Sequence, residues 1–270
     1  MGALRRCSKR EKLKTLVPKI ILAIPRNRTL ILEDYGDDML PARWTVDMLI
    51  HTAALLARLG SHQELRSLPC GFRRRLHPDK ELVTLLERAK FSQAKELVRD
   101  LFEQQYDGRL YHALSHGDLV RANLHCASDR IRLIDWEHSE VAPLARDLAG
   151  FFLAMPTAIC PRRIDKSTLI AMRERFFDEL RSVYTKMCLE AAFGASLAFW
   201  LALTLQTHLG EALKNDATWG DVSNRTRVVA RLQMFLEWAP ALPKATIAAA
   251  ERLIAHLEDQ WGKTKEMPLT

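Results

Sequence analysis

Four polar side chains with catalytic potential lie close together near the middle of the chain. They are His116, Asp118, Asn123 and Asp135, with an apolar, β-like run between the last two. A carboxylate can accept the proton of an attacking hydroxyl, and carboxylate and amide oxygens are suitable ligands for Mg²⁺. Because phosphoryl transfer depends mainly on positioning and charge neutralisation, this set of side chains predicts a phosphoryl-transfer site.

The spacing of these residues sharpens the prediction. Asp118 and Asn123 are placed as the catalytic Asp and the metal-binding Asn are in the H-R-D-x-x-x-x-N loop of protein kinases. Asp135 ends an apolar run, which puts its carboxylate at the tip of a predicted strand, like the metal-binding Asp of D-F-G. H-G-D or I-D-W alone could occur by chance, but their order and spacing together indicate a kinase-like site.

The motifs resemble those of the aminoglycoside phosphotransferase and choline kinase superfamily, which are small-molecule kinases with a protein-kinase-like fold. The likeness rests on HGDLVRAN from His116, on LIDWE around Asp135 and on the D-L-A that begins at Asp147. The resemblance implies that Asp118 and Asn123 are catalytic, with Asp118 as the base, and that Asn123 and Asp135 bind Mg²⁺. It also implies that His116 and Asp147 are structural supports of the catalytic loop.

The same resemblance implies ATP as the cofactor and a small molecule with a hydroxyl group as the acceptor. Backbone groups of an interlobe hinge would hold the adenine, at Glu33, Asp34, Tyr35 and Gly36. The acceptor class stays open among amino alcohols, sugars and aminoglycosides. A cationic acceptor would need acidic residues in the helical part, and the candidates are Glu137, Glu140, Asp178 and Glu179.

The predicted fold class is α+β, a protein-kinase-like fold with a reduced N-terminal β lobe and a large, mainly helical C-terminal lobe. Residues 1–35 are predicted to form the residual N-terminal lobe with a β-hairpin, residues 36–41 a hinge, and residues 42–270 the helical lobe. A second small hairpin is predicted from LHCA and RIRLIDW. Helices are predicted at Trp44–Leu59, Pro78–Gln105, Asp147–Ala154, Asp165–Cys188, Leu189–Lys214, Val222–Glu237 and Ala245–Trp261.

The segment before the first hairpin is short for this superfamily. A glycine-containing phosphate loop, a strand with an ATP-binding Lys and a helix with its partner Glu need about 45 residues. Sixteen residues precede Val17, and Gly2 is the sole glycine before Gly36. Three explanations stay open: a misplaced start, a degenerate pseudokinase that serves as a binding or scaffold module, or a reduced mode of nucleotide binding. We therefore expect weak binding of Mg²⁺–ATP and weak or absent transfer.

Composition narrows the class of protein further. The net charge of +7, from 40 basic and 33 acidic residues, suits phosphate-bearing ligands. No aromatic residues interleave with the basic clusters, which argues against nucleic acid as a partner. The 5 cysteines are scattered without a C-x-x-C pair, and no signal-peptide core is found. These features predict a reducing, cytoplasmic location.

One uncharged run, from Ala191 to Gly210, is long enough to span a bilayer. It contains polar residues such as Ser196, Gln206 and His208, and charged helical segments flank it. We therefore predict a buried core helix at this position and no membrane partner.

Overall fold

The computed structural model describes residues 20–24, 29–32, 45–61, 80–106, 112–119, 123–127, 130–136, 139–153, 164–214, 218–219, 222–238 and 244–262. The strands in this part are β1 (Ile20–Ile24), β2 (Thr29–Leu32), β3 (His112–Ser115), β4 (Leu124–Ala127), β5 (Arg130–Leu133), β6 (Glu140–Pro143), β7 (Thr218–Trp219) and β8 (Val222–Ser223). The helices are α1 (Val46–Ser61), α2 (Lys80–Arg88), α3 (Ala94–Tyr106), α4 (Arg146–Leu153), α5 (Lys166–Leu180), α6 (Lys186–Thr204), a π-helical turn (Leu205–Leu209), α7 (Gly210–Lys214), α8 (Asn224–Trp238) and α9 (Lys244–Trp261).

The strands pair in twos: β1 with β2, β3 with β6, β4 with β5 and β7 with β8. The antiparallel pair β1–β2 is the first predicted hairpin, so this prediction is confirmed. The ladder shifts register between Ile20 and Leu22, a local irregularity of the β-bulge kind. The predicted hinge residues Glu33, Asp34, Tyr35 and Gly36 lie outside the described residues.

The chain divides into two compact units. The first draws on Met1–Arg73, His112–Ala142 and Ile164–Lys186, and the second on Arg74–Tyr111, Pro143–Arg163 and Met187–Thr270. Both units combine segments that are distant in sequence. The domain boundaries inferred from chain order, at 1–35, 36–41 and 42–270, stay a prediction.

The core of the first unit is built on α1, which packs against α5, β3 and β5. Apolar residues at helical spacing, such as Leu49, Ala53 and Leu56, are buried on its inner face. Val46 is 44% exposed, because it lies in the first turn, outside the packed face. Arg58 of α1 donates to both carboxylate oxygens of Glu179 on α5, at 3.1 and 3.3 Å. This bidentate bond ties the two helices together.

Helix α5 begins at a side-chain cap and ends earlier than predicted. The Asp165 carboxylate accepts the backbone N–H of Thr168 at 2.8 Å, and hydrogen bonds from Ser167 and Thr168 lower the pKa of Asp165 to about 2. The predicted helix to Cys188 is wrong at its end, since α5 stops at Leu180. The Leu180 carbonyl accepts two backbone N–H groups from the following turn, and no Gly or Pro marks this stop in the sequence.

In the second unit, the single helix predicted over Pro78–Gln105 is two helices, α2 and α3. The break is a left-handed cap at Lys90, whose φ is 58°. The Phe91 N–H donates to the Leu86 carbonyl at 2.9 Å and the Lys90 N–H donates to the Glu87 carbonyl at 2.8 Å, the two bonds of a Schellman motif. The Ala89 carbonyl also accepts a bond from Gln260 of α9 at 3.1 Å. Distant side chains therefore help to terminate α2.

Replacing Lys90 with glycine is expected to stabilise the protein. A non-glycine residue in the left-handed region costs about 1–2 kcal/mol, part of which glycine regains, offset by the larger entropy of the unfolded chain. We expect a net gain of about 0.5–1 kcal/mol, which is about 2 °C in Tm by thermal unfolding. Lys95→Gly in the helical part of α3 is the control, and it should lower Tm. A lower Tm for Lys90→Gly would contradict the assigned cap.

The run that could span a membrane lies in the long helical segment Lys186–Lys214. Its length and composition alone would suffice for a span, but 78% of its most apolar window is buried inside the protein. The predicted core helix is therefore found in the structure. Trp200 donates its indole N–H to the Arg146 carbonyl at 2.7 Å, and a Cβ on Gly150 would lie 3.3 Å from the same ring. This close approach explains the glycine in α4.

A π-helical turn, Leu205–Leu209, interrupts this long segment. On it, His208 shares a 3.0 Å hydrogen bond through Nδ1 with the Asn224 side-chain oxygen, while Arg231 of α8 donates to Thr204 at 2.9 Å. Burial, together with the positive charges of Arg231 and Arg227, lowers the pKa of His208 to about 4, although the hydrogen bond with Asn224 opposes the shift. His208 is therefore a neutral hydrogen-bonding group in the folded chain near neutral pH.

This histidine makes the stability of the fold depend on pH. The pKa of His208 is lower in the folded chain than the 6.5 of an unperturbed histidine, so between about 6.5 and 4 the unfolded chain binds more protons. Stability is therefore complete above pH 6.5 and falls as pH decreases toward 4. With screening at this half-buried site, we expect a loss of about 1–2 kcal/mol. His208→Gln should flatten this dependence in denaturant unfolding at several pH values, whereas the exposed His51→Gln should not.

Candidate active site

The β4–β5 hairpin sets the positions of the two predicted metal ligands. Its register pairs Leu124 with Leu133 and continues to an antiparallel end at Ala127 and Arg130, which confirms the second predicted hairpin. One further bond extends it, from the Ile134 N–H to the Asn123 carbonyl at 3.0 Å. Asn123 therefore precedes one strand and Asp135 follows the other, at the same open end of the hairpin.

Asp118 and Asn123 are in direct contact. The Asn123 Nδ2 donates to Asp118 Oδ2 at 3.0 Å and to the Asp118 carbonyl at 2.9 Å. These two bonds fix the orientation of the Asp118 carboxylate and do not involve its Oδ1. They also occupy the nitrogen of the amide, so Oδ1 of Asn123 is the atom available as a ligand. Asn123 is buried and Asp118 is half-buried.

His116 connects the loop that carries Asp118 to the strand end that carries Asp135. The buried ring donates from Nε2 to the Ile134 carbonyl at 2.7 Å. Its Nδ1 accepts the Asp118 N–H in a long hydrogen bond of 3.4 Å. These partners require the neutral imidazole with its proton on Nε2. The role of His116 as a structural support of the catalytic loop stays a prediction, and these two bonds are its structural basis.

Two residues of the site have left-handed backbone. Gly117 has φ 90°, which explains why glycine stands between His116 and Asp118. Asp135 has φ 60°, a conformation that costs a non-glycine residue about 1–2 kcal/mol. Strained backbone of this kind clusters at functional sites, which supports a functional role for the exposed Asp135 carboxylate.

The remaining predicted site residues do not join the contacts between Asp118, Asn123 and His116 that the structure shows. Asp147 is buried in the first turn of α4 and belongs to the second unit, so its role as a brace behind the loop stays a prediction. Among the acidic residues considered for a cationic acceptor, Glu179 binds Arg58 and Arg175, and Asp178 binds Arg181 at 3.0 Å. These two carboxylates are therefore already engaged.

The sequence interpretation did not single out Trp136, which directly follows Asp135. Its ring is 5% exposed and packs edge-on against the His116 ring, with 4.7 Å between centroids. The sequence did offer one signal for Trp136, namely a tryptophan immediately after the acidic residue at a predicted strand end. Its neighbours across the loop could not be read from the sequence.

The donor set fits Mg²⁺ together with phosphate oxygens. Asp135 offers an exposed carboxylate and Asn123 an amide oxygen, both hard oxygen donors at the open end of one hairpin. A site with few protein ligands is usual for Mg²⁺, which keeps waters and binds substrate phosphates as well. The residues present could therefore hold one Mg²⁺ beside the carboxylate of Asp118.

The chain resembles one protein family in sequence and several solved structures in fold. Residues 30–185 match the phosphotransferase enzyme family. No curated protein matches the sequence significantly. A choline/ethanolamine kinase family protein from Mesorhizobium loti is similar in structure, with a TM-score of 0.57, 14% identity, and coverage of 93% of this chain and 84% of that one.

Two other solved structures show the same fold. The amicoumacin kinase hAmiN, solved in complex with AMP-PNP, Ca²⁺ and Ami, has a TM-score of 0.51 and 13% identity. The match covers 90% of this chain and 76% of the hAmiN chain. The ADP-bound aminoglycoside phosphotransferase APH(2'')-Ib has a TM-score of 0.50 and 12% identity, with 92% and 81% covered. These likenesses confirm the predicted α+β, kinase-like fold. The sequence match over residues 30–185, more than half of the chain, shows that the chain belongs to the phosphotransferase enzyme family.

Proposed function

We propose that the protein transfers the terminal phosphoryl group of Mg²⁺–ATP to a hydroxyl group of a small molecule. The single observation that carries this proposal is the contact between Asp118 and Asn123, at 3.0 Å, beside the strand end that presents Asp135. This contact joins a candidate base to a candidate metal ligand in the arrangement that phosphoryl transfer requires.

In the proposed reaction, the acceptor hydroxyl donates a hydrogen bond to Oδ1 of Asp118, since Oδ2 is held by Asn123. The acceptor oxygen forms a bond to the terminal phosphorus as the bond from that phosphorus to the bridging oxygen breaks, and ADP leaves. The hydroxyl proton passes to Asp118. Bound Mg²⁺ would supply neutralisation of phosphate charge, with Asn123 and Asp135 as its protein ligands.

We further propose that backbone groups of Glu33, Asp34, Tyr35 and Gly36 hold the adenine, as the family resemblance implies. The acceptor belongs to the amino alcohols, sugars or aminoglycosides. The related structures come from a choline/ethanolamine kinase family protein, an amicoumacin kinase and an aminoglycoside phosphotransferase. The pairing of Glu179 with Arg58 and Arg175 removes one acidic group that a polycationic acceptor could have used.

The test is a transfer assay with an acceptor panel. The chain is incubated with Mg²⁺ and saturating ATP, so that weak affinity does not hide the chemistry. The panel contains choline, ethanolamine, simple sugars and aminoglycosides. We expect one class of acceptor to gain a phosphate, detected by mass spectrometry, and to give equal amounts of ADP and phosphorylated product.

Hydrolysis of ATP without an acceptor is the background to subtract, and omission of Mg²⁺ is the negative control. Calorimetric titration with Mg²⁺–ATP is run in parallel. Binding of the nucleotide without transfer to any acceptor class would overturn the enzyme proposal and support a binding module instead.

A further inference from the structure

At the end of β5, the backbone carbonyls of Leu133 and Ile134 each accept a hydrogen bond from a side chain. The indole Nε1 of Trp136 donates to the Leu133 carbonyl at 2.9 Å. The Nε2 of His116 donates to the Ile134 carbonyl at 2.7 Å. The first of these bonds closes a short loop that runs from Leu133 to Trp136 and contains Asp135.

The two side chains that make these bonds support one another. The rings of His116 and Trp136 meet edge to face with centroids 4.7 Å apart, and both residues are buried, at 0% and 5% exposure. Such a contact restricts both rings, because neither can rotate without losing its hydrogen bond and its packing.

Asp135 lies inside this closed loop and is the strained residue in it. Its φ of 60° is left-handed, while its side chain is exposed. A non-glycine residue keeps such a conformation only where its surroundings over-determine it. The surroundings here are the bonded carbonyls on its N-terminal side and the buried ring on its C-terminal side.

We propose that Trp136 is a positioning residue that holds Asp135 in its left-handed conformation. The indole bond to Leu133 fixes the turn, and the contact with His116 links that turn to the loop carrying Asp118. The proposal rests on the proposed function only for what the Asp135 carboxylate binds. The positioning itself is a property of the metal-free chain.

The test compares two Trp→Phe variants. Trp136→Phe keeps a buried ring but loses the N–H that the Leu133 carbonyl accepts. Trp200→Phe is the matched control, because Trp200 is also 5% exposed and also donates its indole N–H to a backbone carbonyl, that of Arg146 at 2.7 Å. Both changes remove one buried hydrogen bond, but only the first involves the Asp135 turn.

The first readout is amide hydrogen exchange by NMR in the absence of metal. The Ile134 N–H, bonded to Asn123 at 3.0 Å, should exchange about tenfold faster in Trp136→Phe and remain as in the wild type in Trp200→Phe. Glycine adopts the left-handed conformation without strain, so Asp135→Gly combined with Trp136→Phe should restore the protection. Unchanged exchange in Trp136→Phe, or no rescue by glycine, overturns the proposal.

If Trp136→Phe alone does not fold, the double variant still decides the question. If the double variant folds, the proposed role of Trp136 is supported. Glycine at position 135 then removes the backbone strain that the Trp136 hydrogen bond would otherwise have to hold. If the double variant also fails to fold, Trp136 is a packing residue only and the proposal is overturned.

The second readout is a titration with Mn²⁺ followed by electron paramagnetic resonance. We expect the Kd to rise about 10- to 100-fold in Trp136→Phe, as for other residues that orient metal ligands, and to stay unchanged in Trp200→Phe. An equal rise in both variants overturns the proposal. Absence of Mn²⁺ binding by the wild type would instead count against the proposed function, while the exchange result would still test the positioning.

Discussion

The Asp118→Asn variant is expected to lose about 10²–10⁴-fold in the rate of phosphoryl transfer while it still folds and binds Mg²⁺–ATP. A neutral amide cannot accept the proton of the acceptor hydroxyl. Its oxygen can still accept the bond that Asn123 now donates to Asp118 at 3.0 Å, so the loop has no reason to rearrange. The change therefore removes the base and keeps the geometry.

The measurement is the single-turnover rate at saturating Mg²⁺–ATP and acceptor, which separates chemistry from nucleotide affinity. Asp259→Asn is the matched control, since Asp259 is exposed on α9 and outside the site. It should leave the rate unchanged. A rate within a few-fold of the wild type in Asp118→Asn would remove Asp118 from the role of base.

The parts of the fold that the sequence predicted well are those with strong local signals. The β4–β5 hairpin combines two short β-like runs of four residues with a short connection, and its pairing follows from that pattern. Once this hairpin forms, Asn123 and Asp135 necessarily flank its open end. The contact of Asn123 with Asp118, only five residues earlier, is likewise local. Chemistry and spacing could therefore suggest the site before its geometry was known.

Other features depend on residues far apart in the chain. The break at Lys90 has no glycine or proline to mark it, and the Ala89 carbonyl is capped by His256 and Gln260, both more than 160 residues away. Similarly, Asn224 of α8 bonds to His208 of the π-helical turn, and Arg231 of α8 bonds to Thr204, the residue before that turn. Helical periodicity continues across both places, so a sequence pattern cannot show where the hydrogen bonding changes.

The role inferred for Trp136 also depends on a contact that the sequence does not reveal, here within the site itself. Its position next to Asp135 is evident in the sequence, but its contact with His116 is across 20 residues. The left-handed backbone of Asp135 is also invisible to residue-type preferences, which favour glycine there. Strain at a residue of this kind depends on its contacts in the folded chain, which residue types alone do not reveal.

The Asn123→Asp variant is expected to separate the structural and metal-binding roles of this position. The change replaces the donor that lies 3.0 Å from Asp118 Oδ2 with a second carboxylate. At an effective dielectric constant of about 20, two unit charges at that distance repel by about 5 kcal/mol before relaxation. We expect the variant to lose about 2–4 kcal/mol of stability without metal, and its transfer rate with Mg²⁺ to fall about 100-fold.

Mg²⁺ should restore part of this stability, because a bound divalent cation neutralises both carboxylates. The measurement is Tm as a function of Mg²⁺ concentration, with a larger rise for Asn123→Asp than for the wild type. Asn224→Asp is the matched control, since Asn224 is also 6% exposed but contacts His208 instead of a carboxylate. Its Mg²⁺ dependence should equal that of the wild type. If Asn123→Asp without metal were as stable as the wild type, the close Asp118–Asn123 contact could not exist, and the geometry on which the proposed base depends would be wrong.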